Sequence, residues 1–370
     1  MPIKPWRATC IQMPSRVART AADRREAWAI ISGNIERGLM LVDRSMAAEQ
    51  PPPRLVLLPE FAFQGPPRGE SVDEWISKAC YPVPGEITAP FQAKAAELGI
   101  YIGGNQFEAD PEWPHRHFNT SWLIDPAGEV ILRYRRIHTA QWVSPHDLLD
   151  AYLDRYGVDG LFPVADTELG RIGMLACGEI LVPESARVLM LRGAEVLLHP
   201  TNEPYSEAEE AAKIVAAAAN MMYVVSANVA GPIGFSDGEP MNDPVRGAPV
   251  QGGHSRIVSY KGETLTLDET PAESVAVSSV LDVEALRAAR RDLTMANQIL
   301  RTRFEVFRPF YDGTEFWPAN ESSWPSRWPI SRRPNGSRRA RSATSSGSAW
   351  RSRPAALARD RNRAHRRAAR

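Results

Sequence analysis

The stretch from Gly170 to Pro204, GRIGMLACGEILVPESARVLMLRGAEVLLHPTNEP, constrains this chain more than any other. It predicts a short apolar strand over 171–176 that stops abruptly at Cys177. A turn at Gly178-Glu179 follows, then a helix over about 183–192 and a second strand over 195–199. In open α/β structures, ligands collect beyond the carboxyl ends of the strands. A helix N-terminus close by favours negative charge, lowers a thiol pKa and can bind an oxyanion. Taken alone, Cys177 reads equally as a small buried hydrophobe. The residues around it decide.

Strands and helices alternate through most of the chain. A first strand is predicted over 7–13 and stopped by Pro14. Trp28, Ile31, Ile35, Leu39 and Val42 repeat at three and four residues and predict a helix over 21–49. The run RLVLL over 54–58 marks a strand covered on both faces, ending at Pro59-Glu60. A helix over 86–98 closes at Gly99, and a strand follows over 100–107. Residues 117–124 and 130–138 form two strands around the turn Asp125-Pro126-Ala127-Gly128. A helix over 144–156 precedes the Cys177 block. After it come an Ala-rich helix over 206–222, a strand over 223–228, a Gly/Pro/Asp loop over 232–249, strands over 253–260 and 273–281, and a helix from 282. This pattern predicts an α/β sandwich with mixed sheets. No linker breaks it before Pro318, so residues 1–317 form one domain.

Composition adds the partners. The chain carries 44 basic and 44 acidic residues, but thirteen arginines and a single acid fall in 331–370. The body is therefore acidic and makes a poor nucleic-acid surface. Residues 318–370 form a low-complexity, Arg-rich tail that cannot bury a core and is expected to be disordered. The tail could bind an anionic polymer such as RNA, or it could have no selected role. Three cysteines imply no disulfide framework and fit a reducing, cytoplasmic setting. Neither a signal peptide nor a membrane span is read from the sequence.

With these blocks in place, the chain resembles the nitrilase, or carbon–nitrogen hydrolase, superfamily. LVLLPEFAFQG places Glu60 where that family carries a catalytic glutamate, and the 170–204 block matches the surroundings of its nucleophilic cysteine. EVILRYRRIHTAQ occupies the place of its catalytic lysine, with Arg136 at that position. NMMYVVSANVAG and GGHSRIVSYKGETL support the match, which spans about residues 5–285. The resemblance implies a four-layer αββα sandwich with two mixed β-sheets, association into a homo-oligomer, and cleavage of small amides or nitriles without metal or organic cofactor.

The expected roles follow from that resemblance and from elementary chemistry. Cys177 attacks the carbonyl carbon, Glu60 moves the protons, and Arg136 stabilises developing negative charge. Arg for Lys is not a conservative exchange. Lys213 is placed within a helix and is not expected to stand in for the missing lysine. Gly178 stands after the nucleophile, where the family commonly has an aromatic. Glu179, His199 and Asn202 are candidates for contact with substrate, although Glu179 and Glu184 could also support Arg136 from behind or, more simply, suit the first turn of a helix. The substrate expected is a small carboxamide or carbamoyl compound. The alternatives are a nitrile hydrolase and a family member that keeps its pocket but has lost turnover and serves as a ligand-binding or scaffold protein.

Overall fold

The structure is a computed structural model that describes residues 2–320 apart from 68, 140, 141, 237, 238, 241–249, 313 and 315–318. The basic tail and much of the 232–250 loop lie outside the described residues. Two six-stranded mixed sheets form the centre. In the first, β1 (Trp6–Gln12), β2 (Leu55–Leu57) and β3 (Tyr101–Ala109) run parallel. Antiparallel β4 (His117–Ile124) and β5 (Val130–Arg135) extend one edge, and β14 (Ser274–Leu281) pairs with β1 at the other.

The second sheet repeats this plan. Parallel β7 (Gly170–Met174), β8 (Val196–Thr201) and β9 (Tyr223–Asn228) lie between antiparallel β6 (Val164–Thr167) and the pair β12 (Arg256–Val258) and β13 (Thr264–Leu267). A short ribbon, β10 (Gly234–Ser236) with β11 (Glu239–Pro240), stands apart.

The sheets face each other across Cys10, Leu55, Leu57, Leu123, Tyr134, Met174, Leu198 and Val225, all buried. Each fully buried leucine there contributes roughly 1.5–3 kcal/mol. Outside the first sheet pack α1 (Arg24–Ala48), α2 (Val72–Ala79) and α3 (Ala89–Leu98), through Ile31, Leu41, Trp75 and Phe91 onto Ile11, Val56 and Trp122. Outside the second pack α5 (Pro183–Leu191) and α6 (Glu207–Asn220), through Leu189, Ala216 and Ala217. Helix, sheet, sheet, helix is the four-layer sandwich expected. Helix α4 (Leu149–Tyr156) lies between β5 and β6 in the chain, and α7 (Val283–Arg291), α8 (Gln298–Arg301) and α9 (Phe304–Tyr311) come after β14.

The structure departs from the sequence reading in places with local causes. A single helix over 144–156 is instead a 3-10 turn, Pro145–Leu148, followed by α4. Leu148, at φ −146° and ψ 39°, breaks the helical run. Helix α2, absent from the reading, carries a full capping box: the Glu74 N–H donates to Ser71 Oγ, and the Ser71 N–H donates to Glu74 Oε2. Strands β6 and β13 are four residues each, too short to show a period.

Candidate active site

The parallel strands of both sheets end at the same edge, and the three expected reacting side chains converge there. Glu60 follows β2 through Pro59, and its N–H donates to Thr201 O at the end of β8 (3.3 Å), tying the two sheets together. Arg136 follows β5, and its N–H donates to Asn119 O (2.8 Å), extending the strand pairing by one residue. Cys177 follows β7 with φ +50°, left-handed for a residue with a Cβ. Such a conformation costs on the order of 1–3 kcal/mol and persists only where its surroundings fix it. Here the Cys177 carbonyl is held by His199 Nε2 (2.8 Å) and the thiol points at Asn202 O (3.9 Å).

Glu60 is fully buried. Its Oε1 accepts from Asn119 Nδ2 (2.7 Å) and Arg136 Nη1 (3.2 Å), while Oε2 makes no hydrogen bond among the described residues. Asn119 is itself oriented: its Oδ1 is taken by Asn105 Nδ2 (2.6 Å), which leaves Nδ2 for the carboxylate. Burial pushes the Glu60 carboxyl up to about 7, against the opposing pull of Arg136, Asn119 and the Cys177 thiol. Burial and the Glu60 charge likewise hold the Cys177 thiol above its ordinary value, with Arg136 acting in the other direction. The resting pair is thus a neutral thiol beside a carboxyl group poised near neutral pH.

Burial works against the charge of Arg136, but Glu60, Cys177 and Glu179 outweigh it and hold the guanidinium firmly protonated. Its Nε donates to His138 O (3.2 Å) and its carbon lies 5.9 Å from the Trp142 ring centroid. A Cβ placed on Gly178 would have Nη2 as its sole neighbour, at 3.6 Å. The far end of the guanidinium therefore overlies the turn just after Cys177.

The other candidates separate. Asn202 stays at the site: it is largely buried, and its Oδ1 has no partner among the described residues. His199 does not face a ligand. Both ring nitrogens are engaged, Nδ1 with Ser226 Oγ (2.9 Å) and Nε2 with the Cys177 carbonyl, and burial lowers its pKa to about 4. Glu179 is also turned inward. Its Oε1 accepts from the Tyr134 hydroxyl (2.7 Å) and from the N–H groups of Ile137 (3.0 Å) and His138 (2.9 Å), and its Oε2 accepts from Ala176 N–H (3.2 Å). Both oxygens are committed to protein, which replaces the expected contact with substrate. Glu184 lies elsewhere and accepts from the Tyr311 hydroxyl (2.6 Å).

Sequence reasoning missed a second layer. Lys213 is fully buried, with Nζ 2.6 Å from Glu203 Oε1 and 2.5 Å from Glu210 Oε1. Arg256 closes the chain on Glu210, and Thr201 Oγ1 donates to Glu203 Oε2 (2.6 Å). The network braces the end of β8 behind Cys177. A lysine at i+3 from Glu210 in α6 is the signal that could have suggested the pair, though not its burial. Asn105 and Asn119 were visible as amides inside strands, but Gln106, Glu108 and Thr120 in the same strands are polar too, so the pattern did not single them out. Among the described residues, no cluster of three or more His, Cys, Asp or Glu side chains could hold a metal ion. Nor is any helix among them long and apolar enough to cross a membrane.

Comparison with known proteins agrees with this geometry. The model of the carbon-nitrogen hydrolase family matches residues 7–291. Omega-amidase NIT2-A of Xenopus laevis is 27% identical over 282 residues, which cover 74% of this chain and 92% of that protein. The human omega-amidase NIT2 is 26% identical over 287 residues, covering 76% and 94%. Among solved structures, a carbon-nitrogen hydrolase from Helicobacter pylori G27 superposes with a TM-score of 0.62 at 19% identity, covering 84% of this chain and 99% of that one. A mutant amidase from Nesterenkonia sp. AN1, with the acetamide moiety of fluoroacetamide added covalently at its active-site cysteine, superposes with a TM-score of 0.57 at 19% identity, covering 82% and 96%.

Proposed function

Because the chain belongs to the carbon-nitrogen hydrolase family, we propose that it hydrolyses the C–N bond of a small carboxamide or carbamoyl compound through a Cys177 thioester. The observation that carries this reading is the state of Glu60: buried, anchored through Oε1, without a hydrogen bond at Oε2 among the described residues, and interacting with the Cys177 thiol, which helps to lower its pKa. The omega-amidase relatives and the amidase with its cysteine adduct support an amide over a nitrile.

The sequence of steps follows from the charges. Glu60 as carboxylate takes the thiol proton while Sγ bonds to the carbonyl carbon, and the C=O pair moves onto oxygen. Arg136 faces that oxygen with a charge that is already in place, so it stabilises the anion without reorganising. Arginine does not release its proton at working pH. All proton traffic therefore falls to Glu60. It passes the thiol proton to the leaving nitrogen as the C–N bond breaks and ammonia or an amine departs. It then takes a proton from water, whose oxygen attacks the thioester, and returns it to sulfur as the acid leaves.

A second reading has one observation in its favour. The ion pair between Arg136 and Glu60 can also hold the base in check, which suits a family member that binds ligand without turnover. The two readings divide on ammonia release from a panel of primary amides, carbamoyl amino acids and nitriles, with Cys177→Ala as control. Release that depends on Cys177 supports the hydrolase, and amides outpacing nitriles supports the amidase form. No release above the Cys177→Ala control from any compound contradicts the hydrolase and leaves the binding reading. In solution the protein is proposed to associate with copies of itself in a reducing compartment, where its free Cys10, Cys80 and Cys177 persist.

A further inference from the structure

We propose that Glu179 is the positioning residue of this site: one carboxylate that fixes the nucleophile turn and the arginine arm in register with each other. The inference rests on the hydrolase reading above and adds a residue that touches neither substrate nor the reacting atoms. Glu179 lies two residues beyond Cys177, in the 3-10 turn Cys177–Leu181 of the second sheet's edge. Its Oε2 accepts the Ala176 N–H and so closes that turn on itself across the strained Cys177. Its Oε1 reaches the other sheet, where it collects the Tyr134 hydroxyl and the consecutive N–H groups of Ile137 and His138.

Those two N–H groups matter because of what the same residues do next. With the His138 N–H held by Glu179, its carbonyl is fixed as the acceptor for Arg136 Nε, and the guanidinium is aimed so that Nη1 meets Glu60 Oε1. The path runs from Cys177 through Glu179 and His138 to Arg136 and back to Glu60. Four hydrogen bonds to one buried carboxylate, three of them from backbone N–H groups, leave it no other geometry. The strand pairing reaches Arg136 through its N–H to Asn119 O and fixes its main chain, while the aim of the side chain depends on the 137–138 backbone that Glu179 holds.

The test compares wild type with Glu179→Gln, which keeps the shape and one acceptor oxygen but turns the other position into a donor facing a donor. The expected result is a fall in kcat of about 10- to 100-fold, the cost of a reacting group displaced by about an ångström, with KM within about threefold of wild type. The acid limb of the pH profile also moves upward, because a guanidinium no longer aimed at Glu60 no longer lowers its pKa. A residue that merely supported the fold would lower stability and leave the pH profile in place. Tyr134→Phe removes one donor to the same oxygen and is predicted to give a smaller shift in the same direction, so the proposal stays testable if Glu179→Gln does not fold. The pH dependence of Cys177 alkylation by iodoacetamide gives the same comparison without turnover and reads Glu179 even if no amide is cleaved. An acid limb, alkylation profile and kcat unchanged from wild type in Glu179→Gln, or in Tyr134→Phe if that alone folds, overturn the proposal. Absence of Cys177-dependent ammonia release in wild type, by contrast, removes the hydrolase reading.

Discussion

Arg136 and Glu60 share one hydrogen bond, Nη1 to Oε1 at 3.2 Å, while the second oxygen of the same buried carboxylate has no hydrogen bond among the described residues. The guanidinium thus steadies the carboxylate without occupying the oxygen that the proposed mechanism uses to receive the thiol proton. A bidentate pair would be stronger and would leave no lone pair open on that side.

The first consequence is a pH profile. Glu60 is held up to about 7 by burial, so below that pH it carries a proton and cannot accept one from Cys177. kcat/KM is expected to fall as pH drops through about 7, roughly tenfold per unit below the limb. Glu60→Gln should remove the limb together with the activity. Initial rates on one cleaved amide between pH 5 and 9 check this.

Asn119 offers an independent handle on the same limb. Asn119→Leu keeps the volume and deletes the 2.7 Å hydrogen bond to Glu60. A hydrogen bond to a charged group contributes roughly 1.5–3 kcal/mol, so the limb should rise by about one to two pH units, with activity recovered at alkaline pH. A limb that stays in place would show that Asn119 does not hold the base.

Arg136 should resist replacement by lysine. Its Nε, Nη1 and Nη2 serve three directions at once, toward His138 O, Glu60 and the turn at Gly178, and an ammonium cannot span them. Arg136→Lys is expected to lower kcat. Arg136→Met should in addition leave Glu60 buried without its counter-charge. The sign is set by Glu60: at pH 5.5 it is protonated and the loss of stability is small. At pH 8.5 wild type gains from ionising the pair, whereas the variant either ionises Glu60 unpaired or keeps it protonated, so the added loss approaches about 2 kcal/mol, roughly 1.5 pH units above 7 at about 1.36 kcal/mol per unit. Thermal melts at the two pH values decide it, and equal losses at both would contradict the pairing.

Lys213 is a stability prediction. Removing it with Lys213→Met leaves Glu203 and Glu210 facing each other with Arg256 as the remaining cation of the network. Breaking a buried pair in this way costs about 3–5 kcal/mol. Because Glu203 is tied to the end of β8 through Thr201 and Asn228, activity should fall with stability. Urea denaturation at pH 7.5 measures the first effect and ammonia release the second.

How much of this was legible in the sequence varies by the range of the interaction. Apolar runs such as 54–58 and 171–176 announce buried strands, and their ends mark Glu60 and Cys177, because chemistry at a strand end is a local pattern. Arg136 could be placed from its block, and the sandwich from the alternation of elements. Glu179 was legible only in part. Two residues from Cys177 it reads as a group for substrate, a partner of Arg136 or a first-turn acid, and only the fold brings Tyr134 and the 137–138 backbone onto its oxygens. His199 misleads for the same reason, since Ser226 and the Cys177 carbonyl reach it from distant segments. Lys213 sits within an Ala-rich helix, and nothing in its immediate sequence signals burial. Its burial depends on Glu203 and Arg256, which lie 10 residues before it and 43 after it in the chain.

The central claim is a covalent Cys177 intermediate, and the most direct measurement is the intact mass of the protein after brief mixing with the amide panel and acid quenching. The account predicts an added acyl mass on wild type, absent from Cys177→Ala, appearing together with ammonia. No adduct on wild type while ammonia is released at the same rate by Cys177→Ala would contradict it.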